Sequence, residues 1–151
     1  MRIAIGSDHQ GYDLKVLVRD RLTSQAAEVQ DVGPDRLDPG DDYPDFARAV
    51  AQSVARGESD LGIMICSTGV GSCMAANKVR GIRAALCHDT FSARMSRQHN
   101  DANVLCLGAN IVGKSLALEI VDVWIGESFS GEERHRRRLA KIQNIESPEG
   151  Q

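Results

Sequence analysis

The run Cys66-Ser67-Thr68-Gly69-Val70-Gly71-Ser72 sets a thiol and three hydroxyls around two glycines. It follows an apolar stretch, Leu61 to Ile65, and leads into a short segment with helical spacing. Backbone N–H groups at such a turn point outward and can hold an anion or a developing oxyanion. The glycines allow positive φ and close backbone approach. The run matches neither GxGxxG nor a Walker-type loop, so no dinucleotide or nucleoside triphosphate follows from it. A plain tight turn is the other reading. Cys66 sits at the turn itself. A thiol at a helix N-terminus can be held as thiolate and act as nucleophile or base. A buried thiol is otherwise a small hydrophobe.

Three more groups have chemical potential. His99 lies in the polar stretch Ser96-Arg97-Gln98-His99-Asn100-Asp101, where an imidazole titrates near neutrality and can shuttle protons. A solvated surface histidine is the bland alternative. Asp8-His9 is an acid–histidine pair after the first apolar run, too sparse for a metal site. Arg134 and Arg138 are i, i+4 and share one face of a C-terminal helix. Such a pair can clamp a phosphate through charge-assisted hydrogen bonds, or simply be a solvated face.

These groups must be positioned by alternating strands and helices. Ile3–Ile5, Glu28–Val32, Leu61–Cys66, Ile82–Cys87 and Val104–Leu107 read as five short strands. Helical spacing covers residues 11–22, 44–56, 72–77, 90–98, 116–124 and 132–146, with Asp89-Thr90 as an N-cap and Gly57 as a stop. Leu139, Ile142 and Ile145 form the apolar side of the last helix. This pattern predicts an α/β fold, a parallel sheet covered on both faces. Ligands bind beyond the carboxyl ends of strands in such folds. Ser7-Asp8-His9, Ser67-Thr68-Gly69 and His88-Asp89 fall there.

Length and composition narrow the function classes. At 151 residues the chain is expected to be a single domain, 1–151, large enough for its own core. Aromatics are 4%, so Ile, Val, Leu and Ala must build that core, and few rings remain to stack bases. The net charge of −3 provides no basic field for nucleic acid. The four cysteines form no CxxC pair, which argues against a disulfide framework or a zinc knuckle. Cys73, Cys87 and Cys106 read as packing. No run approaches a membrane span, and the N-terminus does not read as a signal peptide. The chain is expected to be soluble and cytoplasmic, with no nucleic-acid or membrane partner.

The motifs taken together resemble the ribose-5-phosphate isomerase B / galactose-6-phosphate isomerase family. They are Asp8-His9-Gln10-Gly11-Tyr12, Asp42-Tyr43-Pro44, Ile65-Cys66 with Thr68-Gly69-Val70-Gly71, Ala75-Ala76-Asn77-Lys78, Gly81-Ile82-Arg83-Ala84, the stretch from Ser96 to Val104, and Arg134-His135 with Arg138. The likeness runs to about residue 146. It implies a Rossmann-like three-layer sandwich, with a five-stranded parallel sheet and a C-terminal helix. It also implies a homodimer, in some relatives a tetramer, with active sites built between subunits. The implied chemistry is aldose–ketose isomerisation through a cis-enediolate, with no metal and no cofactor.

On that analogy Cys66 carries the proton between C2 and C1. Thr68 orients the reacting oxygens, and the amides from Ser67 through Gly69, Val70 and Gly71 to Ser72 hold the enediolate oxygen. His99, with Asp8 nearby, opens the furanose ring. Asn100 and Tyr43 contact sugar hydroxyls, while His9, Arg134 and Arg138 hold the phosphate. A subset of the family has a glutamate base where this chain has Ser72, so the chain is of the cysteine type. Two positions depart from the pattern. Ser67 stands where Gly is frequent. Asn110, in Gly108-Ala109-Asn110-Ile111, stands where many phosphopentose isomerases have an arginine that supports phosphate. Both are candidate substrate contacts and point to weaker phosphate capture or a different sugar: allose, galactose 6-phosphate or a tetrulose phosphate. A non-catalytic anion- or nucleotide-binding module and a Cys66 redox sensor are the alternatives from other classes.

Overall fold

The computed structural model describes residues 1–146; residues 147–151, part of the expected single domain, lie outside them. Alternating strand side chains separate into two cores, which is why the sheet needs helices on both faces. Strands β1 (Arg2–Ser7), β2 (Glu28–Asp31), β3 (Leu61–Cys66), β4 (Ala84–Leu86) and β5 (Val104–Gly108) form one parallel sheet in the order β2-β1-β3-β5-β4. Ile3, Ile5, Ile63, Ile65, Leu105 and Leu107 face one way. They pack on α1 (Tyr12–Ser24), α4 (Thr90–Asn100) and α5 (Lys114–Gly126). Ala4, Met64, Val104 and Cys106 face the other way, onto α2 (Tyr43–Ala55) and α3 (Val70–Ala76). The last helix, α6 (Glu133–Ile145), lies against α4. This is the expected three-layer α/β sandwich.

Each large aliphatic side chain in these layers contributes roughly 1.5–3 kcal/mol by burial. Ile63 is fully buried in the central strand; cutting it to alanine would cost about 2–5 kcal/mol. Trp124 of α5 is fully buried. Its indole N–H donates to the Ser96 hydroxyl of α4 at 3.1 Å, and the Arg97 guanidinium lies 5.2 Å from the ring centroid.

Several boundaries differ from those expected. β4 is three residues long rather than six, because Gly81 (φ +81°) and Ile82 are still in a turn, with Ile82 N–H on the Val79 carbonyl. Asn77 and Asn103 then take the backbone N–H groups of Ala84 and Arg83. α3 starts at Val70, two residues early, because Gly69 takes the left-handed conformation (φ +77°) and turns the chain into the helix at once. The apolar side of α6 is left open: Ile142 is 43% and Ile145 64% exposed, and among the described residues of α6 only His135 is buried.

Candidate active site

Cys66 ends β3, the middle strand, beside Gly108 of β5. Its side chain is almost fully buried. The Gly69 N–H donates to the sulfur at 3.1 Å, and the Ser72 hydroxyl lies 3.3 Å from it. Only glycine fits at position 69, since a Cβ there would run into Leu86 and lie 2.9 Å from the Leu107 carbonyl carbon. At Gly71 a Cβ would lie 2.5 Å from the ring of Tyr43, which stands over the loop and would have to move aside. Thr68 is exposed, with Oγ1 accepting from Val70 N–H at 3.4 Å. The first-turn N–H groups of Gly71 and Ser72 have no partner inside the helix by α-helical geometry. Gly71 is half-buried and Ser72 fully buried, and the Gly69 N–H is already taken by sulfur.

Neighbouring strand ends complete this side. Asp8 follows β1 and is 5% exposed. Its Oδ1 accepts from Gly11 N–H at 3.0 Å, yet burial pushes its carboxyl pKa up. The Asp8 N–H donates to the Ile65 carbonyl, which ties it to β3. His9 bonds Asp41 through Nδ1 at 2.7 Å and through its backbone N–H at 3.1 Å. The Asp41 carboxylate raises the His9 pKa, favouring the imidazolium. Asn110 follows β5 and its side-chain NH₂ donates to the Ser67 hydroxyl at 3.0 Å. The two positions that depart from the family pattern are therefore bonded to each other.

The structure does not bring the remaining candidates to this place. α4 runs back across the sheet, so His99 and Asn100 close it at the amino ends of the strands. They precede Val104, which pairs with Gly62 near the start of β3, whereas Cys66 pairs with Gly108. Four strand residues separate those levels, about 13 Å at the strand rise. The expected closeness of Asp8 and His99 is thus not met within one chain. His99 instead lies against His135, ring centroids 4.2 Å apart. His135 is buried, with Nδ1 2.8 Å from the Ser130 hydroxyl. Burial, followed by the charge of His99, lowers its pKa. Arg134 and Arg138 are exposed on the same helix, and Arg134 pairs with Glu132 at 2.8 Å.

Two grooves follow the β4 edge. One, about 250 Å³, is lined by Ile82, Ala84, Ala102 and Ile142 with Arg83 and Asn100 at its rim. The other, about 370 Å³, is lined by Val70, Met74 and Leu86 with Cys73. Cys66 lines neither. Val70 (49% exposed), Met74 (64%) and Phe91 (69%) extend this apolar border.

Sequence reasoning missed three partners. Asp41, the orienter of His9, sits in an irregular loop with no pattern to mark it. His135 was visible only as part of a motif. Cys73, read as packing, touches Cys106, whose hydrogen bond lowers the Cys73 pKa to about 7. Among the described residues no group of three or more His, Cys, Asp or Glu is placed to hold a metal ion. No helix among them is long and apolar enough to cross a membrane.

A doubly covered parallel sheet with a held thiol and an open turn at its central strand end defines an α/β protein built to act at its carboxyl edge. The chain belongs to the Ribose/Galactose Isomerase family, whose model matches residues 3–142. The structure of Clostridium thermocellum ribose-5-phosphate isomerase B is 53% identical, covers 97% of each chain and superposes with a TM-score of 0.94. Ribose-5-phosphate isomerase B of Mycoplasma genitalium, solved with bound ribulose-5-phosphate, is 47% identical over 96% of this chain and 95% of that one, with a TM-score of 0.92. The D-erythrulose-4-phosphate isomerase of Pectobacterium atrosepticum is 43% identical over 87% of this chain and 86% of its own.

Proposed function

We propose that the chain is a metal-independent aldose–ketose isomerase that interconverts ribose 5-phosphate and ribulose 5-phosphate. The observation that carries this reading is the Cys66 thiol, held by a backbone N–H and a hydroxyl at the end of the central strand. Acting as base, the Cys66 thiolate takes the proton from C2 of the open-chain aldose. The C2–H electron pair becomes the C1–C2 double bond, and the carbonyl oxygen becomes an enediolate oxygen. The first-turn amide of Gly71 holds that charge, and Thr68 orients it. A proton passes from O2 to O1, and as Cys66 returns the carried proton to C1 the charge on O2 closes to the carbonyl at C2. Tyr43, over Gly71, contacts a sugar hydroxyl. His9, charged beside Asp41, meets the phosphate.

His99 opens the ring and Arg134 and Arg138 clamp the phosphate, but they act from a second copy of the chain. The strand-end cluster is anionic apart from His9, and the helix-end cluster carries the cations. The open side of α6 and the apolar border of β4 supply a surface for the second copy. In a twofold dimer each interface uses the same patches twice, so two complete sites form. The whole chain acts as one domain in the cytoplasm.

A second sugar is favoured by one observation. Asn110 bonds Ser67 with a neutral hydrogen bond at the place where a guanidinium would reach phosphate. This supports a relative acting on a sugar phosphate of different length or stereochemistry, as the Pectobacterium enzyme is named for D-erythrulose 4-phosphate.

A substrate panel without added metal tests both readings: ribose 5-phosphate, allose 6-phosphate, galactose 6-phosphate, erythrulose 4-phosphate, and free ribose and allose. Each is run beside Cys66→Ala. Efficient, Cys66-dependent turnover of ribose 5-phosphate is expected. A better rate on another sugar moves the substrate but keeps the chemistry. No turnover of any sugar returns the chain to the binding modules.

A further inference from the structure

Ser72 is buried to the last atom, and its hydroxyl meets Cys66, the Gly69 carbonyl and Cys106. It lies 3.3 Å from Cys66 Sγ and donates at 3.1 Å to the Gly69 carbonyl. A hydroxyl has one hydrogen and two lone pairs. When Cys66 is a thiol, S–H donates to Ser72 and Ser72 donates to Gly69, so every group is satisfied. When Cys66 loses its proton, the sulfur has only the Gly69 N–H as donor. Turning the Ser72 O–H onto sulfur restores a second donor without any heavy atom moving. The Gly69 carbonyl then gives up one bond and keeps the Cys73 N–H at 3.0 Å.

We infer that the Ser72 hydroxyl is a positioning residue that swings its single hydrogen between the Gly69 carbonyl and Cys66, holding the sulfur ready to lose and regain a proton in each turnover. The inference rests on Cys66 being the base of the proposed isomerase. No open water reaches Ser72 to replace its hydroxyl. The other group facing this pair is Cys106 of β5, which also bonds Ser72. Its bond to Cys73, followed by burial, holds its pKa well above the ordinary thiol value. Cys106 therefore stays neutral and puts no charge against a Cys66 thiolate. A thiolate that forfeits one of two donors becomes harder to form.

The test is the pH dependence of Cys66 alkylation by iodoacetamide, read site by site by peptide mass spectrometry because Cys73 titrates nearby. Ser72→Ala is expected to move the Cys66 midpoint upward by about one pH unit, with roughly tenfold slower alkylation below it. The acid limb of kcat should move with it while KM stays put. Ser72→Thr, which keeps the hydroxyl, should return the midpoint. If the alanine chain does not fold, Ser72→Cys, a weaker donor of similar size, should give a smaller upward shift. An unchanged midpoint in a folded alanine or cysteine variant overturns the inference and leaves the hydroxyl as a loop brace. Alkylation needs no substrate. A shifted midpoint in a protein that isomerises no sugar would therefore sink the isomerase reading alone.

Discussion

The strand-end cluster around Cys66 and the helix-end cluster around His99 differ in how finished they are. In the first, the groups are braced from within the chain. Cys66 has Gly69 and Ser72, His9 has Asp41, and Asn110 has Ser67. In the second, His99 is steadied by His135, but Arg134 and Arg138 stand in solvent beside an open apolar helix side. Bracing fixes a reacting atom, and fixing it is worth most where a proton moves. Exposed cations are worth little until something desolvates them. The contrast teaches that one chain braces the thiol from within while it leaves the helix-end cations open to solvent.

The severest way to break this comparison is to remove the base. Cys66→Ala is expected to lower kcat by about 10²–10⁴-fold, the range for a positioned general base, with KM for ribose 5-phosphate little changed. Loss in KM instead would make Cys66 a binding group. The next test mixes two dead chains. If sites are shared, Cys66→Ala and His99→Ala homodimers are both inactive. Random mixing then recovers about a quarter of wild-type activity, since half the dimers are mixed and each of those has one intact site. No recovery after verified subunit exchange would place both groups in one chain's site, against the register seen here.

The strand-end place of Cys66 was legible in the sequence, and the distance of His99 from it was not, for a geometric reason. Apolar runs ending in Ser-Asp-His or Cys-Ser-Thr-Gly mark carboxyl ends of strands, so Asp8 and Cys66 could both be set at that edge from pattern alone. The place of His99 follows from topology rather than from its neighbours in sequence. A helix between parallel strands returns antiparallel to them, so a residue closing it lies at the amino edge. Ser72 was legible only for its amide. Its hydroxyl comes back under Cys66 because Gly69 turns left-handed, a spacing of six that neither helix nor strand periodicity predicts. Asp41 and His9 are 32 residues apart across an irregular loop, where no periodicity reaches.

Weakening the clamp sharpens the comparison from the other side. Arg134→Ala with Arg138→Ala is expected to raise KM about 10- to 100-fold for the phosphorylated sugar, with kcat falling less, and to leave an unphosphorylated sugar unaffected. An equal loss on the free sugar would mean the arginines hold the fold or the dimer instead. Smaller effects are expected at the Ser67–Asn110 contact. Ser67→Gly and Asn110→Arg should each change KM about threefold or less, while the double variant departs from their product, because hydrogen-bonded neighbours do not act additively. Additive effects would remove the pair from substrate selection.

The mildest effect concerns His9 and acts through pH. Asp41 raises the His9 pKa, first through its hydrogen bond to the ring. His9 in the wild type thus keeps its charge to higher pH than an ordinary histidine. In Asp41→Asn the charge is lost earlier, so KM should begin to rise at lower pH than in the wild type, by about threefold near neutrality. Stability has the same sign. For a histidine whose folded pKa is raised, the contribution is fully present below the unfolded value and is lost as pH rises through the folded one. The Tm gap between the wild type and Asp41→Asn should accordingly be widest in acid and narrow toward alkaline pH. It should not close entirely, because a carboxylate accepts the His9 backbone N–H more strongly than an amide oxygen does. A gap that is flat across pH would show that Asp41 braces the loop through that backbone bond alone, and that the His9 charge comes from elsewhere.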